Sequence, residues 1–191
     1  MDIRLEKVYK QYNGKTILKD IDMTFIKGSI SCIMGASGRG KTTLVSILMG
    51  LVKQDGGEVL GLHGVRRAAV FQEDRLIEHW DAVKNVRLVC GKEITDAMIR
   101  EHLGRTGLED FTDKPVRAFS GGMRRRVAIV RALLAESSLV IMDEPFKGLD
   151  EALKEQVINY IKEQTAGKTV IVVTHDRRDA ELLGAKVYTL F

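Results

Sequence analysis

Apolar and polar positions change rhythm several times along the chain. At the start, Ile3, Leu5 and the Val8 region alternate loosely with polar residues, as do Ile21, Met23 and Phe25. That is the period-two signature of half-buried strands. Asn13-Gly14 lies between the two runs and reads as a hairpin turn, since both residues tolerate positive φ. Four later stretches are short and almost continuously apolar: "ISCIM" (30–34), "AAVF" (68–71), "LVIMD" (139–143) and "TVIVVTH" (169–175). Such runs suit strands buried on both faces. Helical spacing separates them. One helix should start near Lys41 and end around Gly50, and "DGGE" (55–58) after it reads as a turn. Another begins behind Ser120, with Met123, Val127, Val130 and Leu134 on one face. A third covers about 151–164, and a short helix and the edge strand "KVYTL" close the chain.

Strands that alternate with helices predict an α/β fold with a mainly parallel sheet and right-handed crossovers. A small N-terminal antiparallel β portion precedes it. Residues 73–118 have a different texture and read as a mostly helical insertion. "DAVKNVRLV" (81–89) and "DAMIREHLG" (96–104) carry helical spacing, and Thr95 is placed to cap the second. We therefore expect one domain over 1–191, with a core from 1–72 and 119–191 and a helical subdomain at about 73–118.

Composition narrows the class. With 191 residues, 45% of them hydrophobic, the chain can bury one substantial core. It has only two prolines and no Ser/Gly/Pro tract that would mark a linker. No apolar run approaches the roughly 20 residues that span a bilayer. "MDIRLEKVYK" lacks the apolar stretch of a signal peptide. A cytoplasmic protein is expected. Cys32 and Cys90 match no metal spacing and read as reduced, partly buried thiols. The net charge of +4 is mild, and aromatics, 6% of the chain, do not interleave with the basic clusters. No nucleic-acid partner is expected. Arg124, Arg125 and Arg126 cannot share one helix face. They read as mostly solvated, with an electrostatic contribution at the start of their helix.

The candidate chemistry centres on "GASGRGKTT" (35–43). Gly35, Gly40, Lys41 and Thr42 fit the pattern G-x-x-x-x-G-K-[ST] after a strand and before a helix, the context of a P-loop. Backbone N–H groups from Gly35, Ala36, Ser37, Gly38, Arg39, Gly40, Lys41, Thr42 and Thr43 would wrap phosphate oxygens. Lys41 meets the β/γ-phosphates, and Thr42 offers its hydroxyl to Mg²⁺. Asp143 and Glu144 end a buried strand. Adjacent side chains in extended backbone point opposite ways, so Asp143 can serve the metal while Glu144 acts as general base on a water. His175 and Gln72 end two other strands at the same carboxyl edge, where open α/β sheets bind ligands. His175 can donate to the γ-phosphate, and the Gln72 amide can reach Mg²⁺ or water. Asp150 reads as a helix N-cap. Ser120, Gly121 and Gly122 open a further helix, whose N-terminus is a second anion site.

Together these motifs resemble those of the ATP-binding cassette ATPases. "GASGRGKTT" resembles their Walker A, "VFQED" their Q-loop, "FSGGM" their signature, "LVIMDEP" their Walker B, "GLD" their D-loop and "VTHD" their switch histidine. All stand in family order over nearly the whole chain. The resemblance implies that Tyr12 stacks on adenine. It also implies that two cassettes join head to tail around ATP and Mg²⁺, as a homodimer or paired cassette. Ser120, Gly121 and Gly122 then complete the partner's site, and Asp150 lies in the D-loop. The closest likeness is to nitrate-, sulfonate- and taurine-type importer cassettes. This implies integral-membrane permease subunits, an extracytoplasmic solute-binding protein and a place at the inner membrane face. Leu76, Ile77 and Trp80 would line a groove for a permease helix, the alternative being Trp80 as ordinary core of the helical subdomain. Exporter, lipoprotein-release, DNA-repair and iron–sulfur assembly cassettes share the chemistry and are the alternatives. The segment between Lys41 and Gln72 is short for the family, so a trimmed β portion is expected.

Overall fold

The computed structural model describes residues 1–109 and 113–190. Strands β1 (Ile3–Tyr12) and β2 (Lys15–Phe25) form an antiparallel hairpin. Asn13 and Gly14 turn it with φ of 49° and 76°, as the sequence signal predicts. β4 (Gly56–Leu60) pairs with β1 on its other side, giving the order β2-β1-β4. This corrects the turn expected at 55–58: Gly56 to Glu58 belong to a strand, because pairing with β1 outweighs the local turn preference of two glycines.

The second sheet is parallel throughout, in the order β5-β6-β7-β3-β8. Its members are β3 (Ile30–Met34), β5 (Arg67–Val70), β6 (Leu139–Asp143), β7 (Thr169–Val173) and the edge strand β8 (Lys186–Thr189). Every residue of β6 and β7 is buried. The period of two divides their side chains between two layers. Leu139, Ile141, Ile171 and Val173 face a core shared with β1, β2 and helix α1 (Lys41–Leu48). Val140, Met142, Val170 and Val172 face a second core with α4 (Gly121–Leu134), α5 (Glu151–Gln164) and α6 (Arg177–Leu183). Cys32 lies within that second core, where burial pushes its thiol up to about 12.

The insertion is less helical than its spacing suggests. It contains α2 (Ala82–Arg87), α3 (Asp96–Gly104) and a 3₁₀ turn at Val116–Ala118; residues 110–112 lie outside the described residues. Asp81 and Thr95 cap the two helices by accepting from Lys84 N–H and Met98 N–H. Buried Asn85 pins the preceding loop, accepting from Ile77 N–H at 2.8 Å and donating to the Ile77 and Asp81 carbonyls at 3.1 and 3.0 Å. Helix α4 packs on β5, α2, α3 and α5. It is therefore buried from Arg125 through Val130 and not along one face only.

Arg125 and Arg126 correct the expectation of solvated arginines, being 6% and 8% exposed. Arg125 donates to the Phe71 carbonyl and, at 2.5 Å, to the Gln72 carbonyl. Its Nε lies 3.2 Å from Asp74 Oδ1. Arg126 donates to the Thr106 and Gly107 carbonyls at 2.6 and 2.9 Å. A buried guanidinium is tolerable only with such partners.

Candidate functional site

The loop between β3 and α1 positions the first group of site residues. Gly40 sits at the N-cap of α1 with φ 84°, and a Cβ there would come within 2.7 Å of Leu18 Cδ2 and 3.0 Å of the Ile17 carbonyl. Only glycine fits both the backbone and the space. No side chain caps this helix, so its leading N–H groups face the cleft as donors. Lys41 Nζ folds over the loop and donates to the carbonyls of Gly35 and Ala36 at 2.7 and 2.9 Å.

A cleft of about 550 Å³ opens over this loop, within the range of small-ligand sites. Its walls bring together Gly35, Ala36, Ser37, Gly38, Gly40, Lys41, Thr42, Thr43, Gln72, Asp143, Glu144 and His175. Arg39 points into a neighbouring basic recess with Lys15 and Lys19. Thr42 Oγ1 donates to Asp143 Oδ2 at 3.3 Å. Burial is the main force raising the Asp143 carboxyl above its ordinary value; the Thr42 hydroxyl opposes it and the Glu144 charge adds to it. This is a buried carboxylate beside a hydroxyl, with no group of three or more His, Cys, Asp or Glu that could hold a metal among the described residues. The donor set suits Mg²⁺, which takes one or two carboxylates and fills its shell with water and phosphate oxygens.

Glu144 has a left-handed backbone, φ 50°, a conformation rare outside glycine and asparagine. Its N–H donates to the Val173 carbonyl at 2.9 Å. Its Oε2 lies 2.9 Å from His175 Nδ1, so the ends of β6 and β7 are joined through these side chains.

A second cleft, about 710 Å³, adjoins the first and reaches Phe71, Arg125, Gly121, Gly122 and Gly148. Ser120 caps α4 by accepting from Met123 N–H at 3.2 Å. A Cβ on Gly122 would come 3.0 Å from the Gly148 carbonyl and 3.3 Å from Leu149 Cδ2. The start of α4 thus packs directly on the turn before α5. Asp150 caps α5, accepting from Leu153 N–H at 2.9 Å. Ser120, Asp150 and Tyr12 do not line the P-loop cleft. Tyr12 stands at the end of β1, 45% exposed, with Lys10 Nζ 5.1 Å from its ring centre. Leu76, Ile77 and Trp80 are each half-buried, and Leu76 packs against the core. Two lining residues escaped the sequence reading. Ile17 borders the P-loop cleft and Lys147 borders both clefts. The only signal for Lys147 was its place between "DEPF" and "GLD".

A P-loop at the carboxyl edge of a parallel sheet, facing a carboxylate pair and a histidine, defines a nucleotide-triphosphate-binding ATPase. Residues 18–147 match the family model described as ABC transporter. The chain is 34% identical over 202 residues to the taurine import ATP-binding protein TauB of Pelagibacter ubique (strain HTCC1062), covering 97% of this chain and 76% of that one. It is 37% identical over 194 residues to the aliphatic sulfonates import ATP-binding protein SsuB 1 of Pseudomonas syringae pv. tomato, covering 98% and 70%. The dimeric structure of MJ0796, a bacterial ABC transporter cassette, superposes with a TM-score of 0.87 at 29% identity, covering 98% of this chain and 94% of that one. A dimeric post-hydrolysis form of that cassette, bound to ADP and Pi, superposes with a TM-score of 0.85 at the same identity and coverage. The chain belongs to the ABC transporter family and is an ATP-binding cassette ATPase.

Proposed function

We propose that this chain is a single-domain ATPase subunit that powers solute import through a membrane permease, with its reaction centre completed by a second cassette. The observation that carries this reading is a division of the motifs. Lys41, Thr42, Gln72, Asp143, Glu144 and His175 converge on the P-loop cleft, whereas Ser120 does not line it and Gly121 and Gly122 open onto the adjoining one. The N-terminus of a 14-residue helix with a hydroxyl and two glycines is built to receive an anion. A nucleotide held by a partner's P-loop supplies that anion.

Within one chain, the N–H groups at 35–43 and the Lys41 ammonium hold the β- and γ-phosphates, and Lys41 exchanges its two carbonyl contacts for phosphate oxygens. Thr42 and Asp143, with the Gln72 amide, would hold Mg²⁺, which supplies charge neutralisation at the phosphates. Glu144 orients the attacking water, and His175, tied to it, contacts the terminal phosphate. Tyr12 offers its exposed ring to adenine, and Asp150 fixes the turn that faces the partner. Names of relatives with taurine and aliphatic sulfonate import support an importer. Permease subunits and an extracytoplasmic binding protein complete such a system. Its cassette sits at the inner membrane face.

Sedimentation of Glu144→Gln protein tests this. With MgATP it should run as a dimer, and with MgADP or without nucleotide as a monomer. Lys41→Ala in the same background should stay monomeric. Persistent monomer in the Glu144→Gln protein at high protein and ATP concentrations contradicts the reading.

A further inference from the structure

We propose that Lys147 is a further nucleotide-contacting residue, which binds the terminal phosphate of ATP in its own chain's cleft. The inference rests on the P-loop reading above. Four residues line both clefts: Thr42, Gln72, Asp143 and Lys147. The first three have roles in that reading, whereas Lys147 has none. It stands where the P-loop cleft passes into the cleft of Gly121 and Gly122, beside the carboxylate end of the site.

Charge makes the case. The P-loop cleft must accept a polyanion, yet Asp143 and Glu144 outnumber Lys41 there. Lys147 adds a second ammonium to the protein groups of that cleft, beside the charge that Mg²⁺ would supply in the reading above. The other cations along the two clefts are engaged: Lys41 with the Gly35 and Ala36 carbonyls, Arg125 with the Phe71 and Gln72 carbonyls, and Arg75 over the Phe71 ring at 3.8 Å. Lys147 Nζ makes no hydrogen bond or ion pair among the described residues.

Its backbone, by contrast, is held. Phe146 on one side is 5% exposed, and Leu149 packs on the core. Two successive turns, Lys147 N–H to the Glu144 carbonyl at 3.4 Å and Leu149 N–H to the Phe146 carbonyl at 3.2 Å, fix the segment. Lys147 thus lines the cleft on a held backbone, and its exposed ammonium, on a flexible stem, is free to meet an anion there.

The test is calorimetric binding of Mg²⁺ with a non-hydrolysable ATP analogue, and of MgADP, to dilute monomeric protein. Lys147→Ala should weaken the analogue about three- to fivefold, the upper end for one exposed charge contact, and ADP less than about twofold. Lys147→Arg should restore the analogue's affinity, and added salt should shrink the difference. Unchanged thermal unfolding shows that Lys147→Ala is folded. Equal effects on both nucleotides, no effect, or an effect confined to the Glu144→Gln dimer would each overturn the proposal. Lys41→Ala is the control: if it binds both nucleotides normally, the P-loop reading fails, whereas loss in Lys41→Ala with none in Lys147→Ala sinks only the present proposal.

Discussion

Replacing Arg125 with alanine should loosen the segment that carries Gln72. The guanidinium holds that segment at three points: the Phe71 and Gln72 carbonyls and the Asp74 carboxylate. Arg125 and Asp74 side chains are only 7% and 17% exposed. Removing one member of a buried pair costs about 3–5 kcal/mol, because it strands the other. Asp74 keeps some contact with water, so the lower end, about 3 kcal/mol, is expected. In a chain of this size each kcal/mol lowers Tm by about 2–4 °C, giving a fall of about 6–12 °C. The pH response has a definite sign. Burial already raises the Asp74 carboxyl above its ordinary value, and the Arg125 charge is the largest force holding it down. Without that charge it rises further, and a carboxyl raised in the folded state adds stability as pH falls through its folded value toward the unfolded one. The gap between wild type and Arg125→Ala should therefore narrow on mild acidification. The assay is urea unfolding followed by circular dichroism, in a double-mutant cycle with Asp74→Asn. The double variant should be at least about 1 kcal/mol more stable than the sum of the singles, since it strands no carboxylate. Steady-state ATPase should show kcat falling more than KM rises, because the nucleotide cradle itself is untouched. A cycle that closes within about 0.5 kcal/mol would refute the strap.

Two further outcomes can be checked on the same protein. Gly122→Ala places a Cβ 3.0 Å from the Gly148 carbonyl, so the turn must shift by a few tenths of an ångström; thermal unfolding should show a net loss of about 1 kcal/mol after alanine's helix-propensity gain, and a net gain would remove the packing argument. His102 shares a hydrogen bond of 3.0 Å with the Tyr160 hydroxyl, and burial, then the Arg105 charge, holds its pKa below the ordinary value. It therefore contributes stability above the unfolded-state pKa that is lost as pH falls through the folded value; Tm against pH should flatten over that window in His102→Gln, and parallel curves would refute the assignment.

The site was legible where chemistry is written in consecutive residues. Gly40 and Lys41 announce the P-loop because its backbone needs glycine where other side chains collide. The strands leading to Asp143 and His175 were visible because both faces are buried, which leaves no polar position to break the run. Long-range contacts were not legible. Arg125 and Arg126 look solvated because a helix pattern weighs neighbours three and four positions away, while their acceptors lie 54, 53, 20 and 19 positions back in the chain. Gly56 and Gly57 misled in the opposite sense: their turn chemistry is real, as φ of 74° at Gly57 shows, but the edge of β1 recruits the segment. The place of Lys147 inside a motif does not reveal its meaning, which depends on the two clefts it borders.

The polar contacts of the site set how nucleotide must bind. Lys41 does not wait in solvent; it already donates to two carbonyls of its own loop. In the proposed reading a phosphate would replace these hydrogen bonds, and the gain would be the difference between neutral and charged acceptors, roughly twofold in strength. Glu144 and His175 are likewise each other's partner. A phosphate that draws His175 away changes the field at Glu144, on a backbone already held at φ 50°. Conformational strain of that kind costs on the order of 1–3 kcal/mol and persists only where the surroundings enforce it. Here the enforcing contact is the Glu144 N–H on the Val173 carbonyl, one strand away. In the proposed reading, arrival of the terminal phosphate would be transmitted through His175 to Glu144, and through Lys147 to the turn on which Gly122 rests.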